Sequence, residues 1–225
     1  MSAVNEKKVA ALEAVKYIKD GMTVGLGTGS TAYFMIEAIG ERVRNGLEIK
    51  AVATSDETEK LAKKLGINVI TLAEAKKLDV TIDGADEVDG QFQLIKGGGG
   101  ALLREKIVAH NSDFNIIIAD SSKQVSRLGK FKLPLETIPF ATQLIINELE
   151  EMGLNPVQRM RGIDVYKTDE NNDIVDIDIW NTDIKLTDLE HRLKNIPGIV
   201  ETGLFLTTTN LVIIGKGDEV VIENR

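Results

Sequence analysis

A chain of 225 residues, 43% hydrophobic and 28% charged, has the balance of an ordinary globular protein, with room for one large domain or one domain plus a small one. Its 27 Lys and Arg against 35 Asp and Glu leave a net charge of −8, which disfavours a nucleic-acid partner, and the absence of cysteine excludes disulfides, thiolate metal sites and cysteine nucleophiles. The opening residues lack the apolar core of a signal peptide, and no apolar run approaches the ~20 residues of a membrane span, so a cytoplasmic protein without membrane contact is expected.

Residues 4–20 read as a helix with Leu12, Val15 and Ile18 at helical spacing, closed by Asp20-Gly21. Met22–Leu26 is a short apolar strand, followed by a Gly-rich turn from Gly25 to Ser30 and a helix with the stripe Ala32, Met35, Ile36, Ile39 and Val43. Ile49–Ala53 is the next strand, and Ser55 or Asp56 can cap the helix running to Leu65. Ile67–Leu72 and Asp79–Asp83 read as strands with a short helix between them. Ala101–His110 reads as a helix and Phe114–Ala119 as a mostly apolar strand. Beyond Lys123 the rhythm changes: a short strand lies between Pro134 and Pro139, and a helix covers 141–152. A hairpin is predicted from Val165–Thr168 and Ile174–Ile179 around the turn Asp169–Asp173. Thr187 and Glu190 form a capping-box signal for a helix with Leu189, Leu193 and Ile196 on one face, stopped by Pro197-Gly198. Leu211–Ile214 and Val220–Ile222 can return to the main sheet.

Strands alternating with helices predict an α/β protein with a parallel, doubly wound, Rossmann-like sheet. The expected division is a main domain of residues 1–128 and 207–225, with a smaller α+β subdomain of residues 129–206 inserted in it.

The turn Gly25-Leu26-Gly27-Thr28-Gly29-Ser30 joins a strand to a helix, where glycines let backbone approach a ligand and the helix N-terminus offers free N–H groups. It is either a phosphate site or a tight turn without a ligand. A dinucleotide fingerprint is disfavoured, because Ser30 stands where its third glycine belongs and Ala53-Thr54 where its acidic residue belongs. A P-loop is disfavoured in the same way, since Gly-Lys-Ser/Thr is absent.

The segment Asp83–Lys106 carries the densest chemistry. Asp83 and Asp86 converge only if the chain turns at Gly84, because residues three apart on a strand face opposite ways. The pair is either a ligand site at a strand's carboxyl end or an acidic surface turn. Lys96 then precedes four glycines, Gly97–Gly100, whose entropic cost is understandable if their N–H groups crowd a ligand. On the following helix Glu105 falls in the middle of the face made by Ala101, Leu102, Val108 and Ala109, so it is predicted to point inward; Leu103 and Ile107 form a second apolar strip opposite. An inward Glu105 is either a general base with a raised pKa or a buried partner of a Lys or Arg. Lys123, at the end of another strand, is either a further site residue or a solvated loop lysine.

These residues and their order resemble ribose-5-phosphate isomerase of the A type along essentially the whole chain. The likeness rests on Gly27–Thr31, Asp83–Asp86, Lys96–Gly99, Arg104-Glu105-Lys106, Ala119–Lys123, Gly129-Lys130-Phe131, Pro134–Pro139, Pro197–Val200 and Gly203-Leu204-Phe205. The resemblance implies interconversion of D-ribose 5-phosphate and D-ribulose 5-phosphate in the non-oxidative pentose phosphate pathway. It also implies no metal or organic cofactor, and a homodimer or homotetramer. It assigns Glu105 as the base that moves a proton between C2 and C1, Lys96 as the oxyanion stabiliser, and Asp83 and Asp86 as sugar-hydroxyl ligands, one of which assists ring opening. Thr28, Gly29, Ser30 and Thr31, with Gly84 and Ala85, the backbone of Gly97, Gly98 and Gly99, and Lys123 become substrate-binding, and Lys7 a further phosphate contact. Gly100 departs from the family, where Ala is frequent.

Two other readings compete. A non-catalytic sugar-phosphate sensor would need no inward Glu105 and would usually bring a basic DNA-binding element, which the sequence lacks. A metal-dependent phosphoryl-transfer enzyme would use Asp83, Asp86, Glu87 and Asp89, but their spacing does not follow an EF-hand, with Leu94 at the closing position.

Overall fold

The computed structural model describes residues 3–225. In chain order the main elements are α1 (Ala3–Val15), β1 (Thr23–Leu26), α2 (Ser30–Arg44), β2 (Lys50–Ala53), α3 (Asp56–Lys64), α4 (Leu72–Ala75), β3 (Val80–Gly84), β4 (Glu87–Val88), β5 (Leu94–Ile95), α5 (Leu102–His110) and β6 (Asn115–Asp120). They continue with β7 (Leu133–Thr137), α6 (Thr142–Glu151), β8 (Val157–Gln158), β9 (Met160–Arg161), β10 (Asp164–Val165), β11 (Asp173–Ile177), α7 (Leu186–Lys194), β12 (Ile199–Thr202), β13 (Leu204–Phe205), β14 (Leu211–Lys216) and β15 (Glu219–Asn224).

Six strands form the central sheet in the order β15-β14-β6-β3-β1-β2. All neighbours are parallel except the edge pair β14–β15. Because both faces are covered, apolar runs split by alternation. Ile116, Ile118, Leu211 and Ile213 join the core with α1 and α2, while Ile117, Ala119, Val212 and Ile214 join Val88, Leu94 and Phe205 on the opposite side. The chain leaves β1 towards β2 on one side and returns as β3 on the other, so a topological switch point opens at the carboxyl ends of β1 and β3.

A second sheet, β12-β7-β11-β8, is antiparallel and packs against α6 and α7 through Leu135, Ile145, Leu149, Val175, Leu189 and Leu193. Ile95, Leu204 and Leu206 belong to the same core, so the short sheet β13-β5-β4 ties the two larger sheets together. Among the described residues no helix is long and apolar enough to cross a membrane.

Several local expectations change. The first helix stops at Val15 instead of reaching residue 20. Lys16, Tyr17 and Ile18 bond three residues back, and the guanidinium of Arg42 takes the carbonyls of Val15 and Ile18 at 2.5 and 3.0 Å. Side-chain donors thus replace the next helical turn. Its buried face is Ala10, Ala11 and Ala14, while Leu12 is exposed. Small residues suit so close an approach: a Cβ on Gly215 of β14 would lie 2.0 Å from the carbonyl of Glu6.

Residues 67–72 form no strand. Val69 makes one bridge to Ala51 at the sheet edge, and Thr71 then caps α4 in a capping box with Glu74. The predicted hairpin is also re-paired. The turn itself forms, with the N–H of Thr168 donating to the carbonyl of Asn172, but β11 is flanked by β7 and β8, and Val165 pairs with Met160. Both edges of β11 are taken by partners distant in sequence. Finally, Lys185 rather than Thr187 precedes α7, without a side-chain cap, and Glu190 turns towards Lys106 at 3.7 Å.

Candidate active site

The switch point is built by close backbone approach. A Cβ on Gly27 would stand 2.1 Å from Oδ1 of Asp83, so glycine is required for β1 and β3 to end side by side with Asp83 between them. Asp83 Oδ1 accepts the N–H groups of Thr28 at 3.1 Å and Gly84 at 2.7 Å. No turn occurs at Gly84, which stays in β3 paired with Ile118; the chain bends two residues later, at Asp86. The two aspartates therefore take different places. Asp83 is buried beneath the site, whereas Asp86 lies on its wall and accepts the N–H of Gly98 at 2.7 Å.

Lys96 links them. Its Nζ lies 3.0 Å from Asp83 Oδ2 and 3.4 Å from Glu105 Oε1, and donates to the carbonyl of Gly84 at 2.5 Å. It also sits 5.5 Å from the centre of the Phe205 ring. Lys96 is 3% exposed and Glu105 5%. Burial alone would lower the lysine pKa, but the carboxylates of Asp83 and Glu105 outweigh it and hold the ammonium above its usual range. Burial pushes Glu105 up to about 8; Lys96 opposes this, and the charges of Asp83 and Asp86 reinforce it. Glu105 Oε2 is buried with no hydrogen-bond partner in the protein. Glu105 faces inward as its position among Leu102 and Val108 predicts. The opposite strip is only partly covered: Leu103 is half-buried, while Ile107 is 43% exposed.

A cavity of about 120 Å³ opens above this group. Lys96, Glu105, Asp86, Gly84 and Ala85 form one end, with Gly97–Gly99 along a side. Thr28–Thr31, Lys7 and Lys123 form the rest. Gly29 precedes α2 with φ 109° and no side chain caps that helix, so its first N–H groups remain available to an anion. Lys7 Nζ donates to Ser30 Oγ at 2.9 Å and lies 4.0 Å from Asp120 Oδ2. One end of the cavity is thus cationic and rich in N–H donors; the other holds the Lys96–Glu105 pair.

Every sequence-predicted site residue except Asp83 lines this cavity. The hydroxyl of Thr28 is committed elsewhere, to Thr54, Ser55 and Thr58 at 2.7, 2.8 and 3.2 Å. No sequence reading marks that hydroxyl cluster; its signal is Thr54-Ser55, which begins at the end of β2, where a ribose-binding acid would stand in a dinucleotide site. Also unread were Arg159 and Tyr166, which touch the Gly97–Gly99 backbone, and Asp169 and Glu170, which meet Arg104. No local pattern marks them. The acidic cluster disperses: Glu87 accepts the N–H groups of Gly129 and Phe131, and Asp89 those of Gln91 and Gln93. A larger groove of about 860 Å³ runs behind α5 past Ile107 and His110. Its carboxylates Glu190 and Glu201 are paired with Lys106 and Lys194, so it lacks the buried carboxylate oxygen without a partner that distinguishes the smaller cavity.

Residues 50–219 match the family described as ribose 5-phosphate isomerase A, or phosphoriboisomerase A. A ribose-5-phosphate isomerase A of Levilactobacillus brevis is 51% identical over 214 residues, covering 94% of this chain and 93% of its own. One from Sphingopyxis alaskensis is 46% identical over 222 residues, covering 99% and 97%. Among solved structures, ribose 5-phosphate isomerase A of Methanocaldococcus jannaschii superposes with a TM-score of 0.92 at 41% identity, covering 97% of this chain and 98% of that one. A D-ribose-5-phosphate isomerase in complex with phospho-erythronic acid superposes with a TM-score of 0.95 at 38% identity over 100% of both chains.

Proposed function

The chain belongs to the ribose 5-phosphate isomerase A family and is an aldose–ketose isomerase acting on D-ribose 5-phosphate and D-ribulose 5-phosphate; from this premise we propose how its residues divide the work. The phosphate sits at the N-terminus of α2, between Lys7 and Lys123, where N–H groups and ammonium groups meet a dianion. That anchor places the sugar carbons over Lys96 and Glu105 and supplies remote binding energy for orientation. Asp86 assists ring opening, because its carboxylate lies on the cavity wall while Asp83 lies beneath it.

In the open-chain aldose, the carboxylate of Glu105 takes the proton from C2, and the C2–H electron pair forms the C1=C2 double bond of an enediolate. The charge that develops on oxygen faces the ammonium of Lys96, which Asp83 holds in place. Glu105 then returns its proton to C1, the hydroxyl proton passes from O2 to O1, and the ketose results. Atoms and electrons balance without a redox partner. Phospho-erythronic acid, the ligand named for the second structural relative, ends in a planar anionic carboxylate and so resembles this enediolate.

The observation that carries the assignment is the buried, unpaired Oε2 of Glu105 on the wall of a cavity that also holds Lys96. A pKa near neutrality suits a group that must both accept and return a proton. The test is an isomerase assay in excess EDTA on wild type and Glu105→Gln, together with solvent deuterium exchange at the transferred carbon. The variant should lose exchange and at least ~10²-fold in kcat, with KM little changed. Near-normal exchange would overturn the role of Glu105. Cytoplasmic location and assembly as a homodimer or homotetramer are part of the same proposal.

A further inference from the structure

We propose that Arg159 and Tyr166, in the inserted region and outside the cavity, are positioning residues that set the substrate-binding face of the Gly97–Gly99 loop. This rests on the reading above, in which that loop binds the sugar phosphate. Arg159 Nη1 donates to the carbonyls of Gly97 at 2.8 Å and Gly98 at 3.1 Å, and the hydroxyl of Tyr166 donates to the carbonyl of Gly99 at 3.0 Å. Three successive carbonyls are thus drawn to one side. In a trans peptide the C=O of one residue and the N–H of the next point in opposite directions. Drawing these carbonyls towards Arg159 and Tyr166 therefore turns the N–H groups of Gly98 and Gly99 the other way. The N–H of Gly98 does reach Asp86 Oδ2, on the cavity wall, at 2.7 Å.

The clamp is itself fixed. Asp176 in β11 receives Arg159 through Nε at 2.9 Å and Nη2 at 2.5 Å, the bidentate fork that locks a guanidinium plane. The Tyr166 ring lies 5.8 Å from the Arg159 guanidinium and 4.9 Å from that of Arg161. A run of glycines has little conformational preference of its own; the turn bond from the Gly100 N–H to the Gly97 carbonyl at 3.0 Å closes the loop, and the clamp adds partners for all three carbonyls. Gly100 fits the same device: with φ 85°, a Cβ there would stand 2.2 Å from the Tyr166 hydroxyl. Glycine at this position leaves room for Tyr166 to reach Gly99.

Arg159→Ala should raise KM for ribose 5-phosphate, and Kd for phospho-erythronic acid, by about tenfold or more, the range expected for charge-assisted hydrogen bonds. The change in kcat should be smaller, and added guanidinium should restore much of the loss. Arg159→Lys, which keeps the charge but not the fork, should restore little. A folded Arg159→Ala variant with wild-type KM, or with a raised KM indifferent to guanidinium, would overturn the proposal. Tyr166→Phe keeps the ring and removes one hydrogen bond, so it tests the clamp even where Arg159→Ala fails to fold: KM should rise several-fold, and an unchanged KM counts against the clamp. Gly99→Ala separates the two claims. Its Cβ would stand 4.0 Å from Thr28 Cγ2, across the loop's approach to the first glycine turn. An unchanged KM there would mean that no substrate packs against this side of the loop, which counts against the underlying site reading rather than against the clamp.

Discussion

The Nζ of Lys96 lies 3.4 Å from Oε1 of Glu105, and both side chains are almost wholly buried. The lysine keeps its charge because Asp83 stands 3.0 Å away on its other partner contact. Glu105 is the group that yields, with a pKa raised to about 8 by burial. One cation shared between two carboxylates therefore holds Asp83 as an anchor and leaves Glu105 free to exchange a proton.

The first prediction is a pH–rate profile. A general base works as the carboxylate, so kcat/KM should fall on the acid side of an apparent pKa near 8 and level off above it. Initial rates between pH 5.5 and 9.5 check this; a profile flat down to pH 5.5 would remove the raised pKa from the mechanism.

The same shift makes a statement about stability. Glu105 titrates near 4.5 when unfolded and near 8 when folded, so between these values the folded state binds more protons and wild-type stability declines as pH rises. Glu105→Gln lacks this dependence. Its stability relative to wild type should therefore increase from about pH 4.5 to about pH 8 and then become constant. Paired urea melts at pH 5, 6.5 and 8.5 measure the trend, and a difference independent of pH would contradict it.

Gly27→Ala should damage both fold and chemistry. The new Cβ would meet Asp83 at 2.1 Å from Oδ1 and 2.5 Å from Cα, and the second contact is with backbone that cannot swing away. A cost of about 1–3 kcal/mol is expected from such overpacking, with kcat reduced at least ~10-fold as Lys96 loses its anchor. Gly90→Ala is the control, since nothing lies within 4 Å of its Cβ. Thermal melts and steady-state kinetics on the two variants should diverge.

Arg104 joins α5 to the 168–172 turn. Its guanidinium meets Asp56 at 2.7 Å, Glu170 at 2.5 Å and Asp169 at 3.6 Å, while Asp169 also accepts the N–H of Asp56 at the start of α3. The turn is held in turn by Glu136, which accepts from Thr168 and Asn172 at 2.9 Å each. Because Arg104 is partly exposed, Arg104→Ala should cost no more than about 1 kcal/mol, and the difference from wild type should shrink in high salt. Chemical denaturation at two salt concentrations tests this; a salt-independent loss would point to packing instead.

Self-association should leave a mark at the start of α6, where Phe140 is 96% and Leu144 71% exposed. Apolar groups so fully presented to solvent suit a contact with a second copy. Light scattering after gel filtration should give a dimer or tetramer for wild type and a smaller species for Phe140→Asp. An unchanged mass for the variant would place the contact elsewhere.

Much of the site is legible in the sequence because its signals are local. Glu105 faces inward because Leu102 and Val108 share its helix face, and the paired glycine runs precede α2 and α5 as read. The expected turn at Gly84 fails because β3 continues there against β6 and the bend falls at Asp86. The 165–179 hairpin fails for a related reason: its turn forms from neighbouring residues, but strand pairing depends on which edge is free. Both edges of β11 are already occupied by β7 and β8.

The sequence by itself determined the alternation of strands and helices, the glycine turns and the inward direction of Glu105, since periodicity and backbone freedom are properties of neighbouring residues. Only the tertiary structure decided that Asp83 pairs with Lys96 from below while Asp86 faces the cavity, and that Arg159 and Tyr166 donate to the carbonyls of the glycine loop. These relationships depend on elements far apart in the chain meeting at distances of a few ångströms, and no local pattern encodes which of them meet.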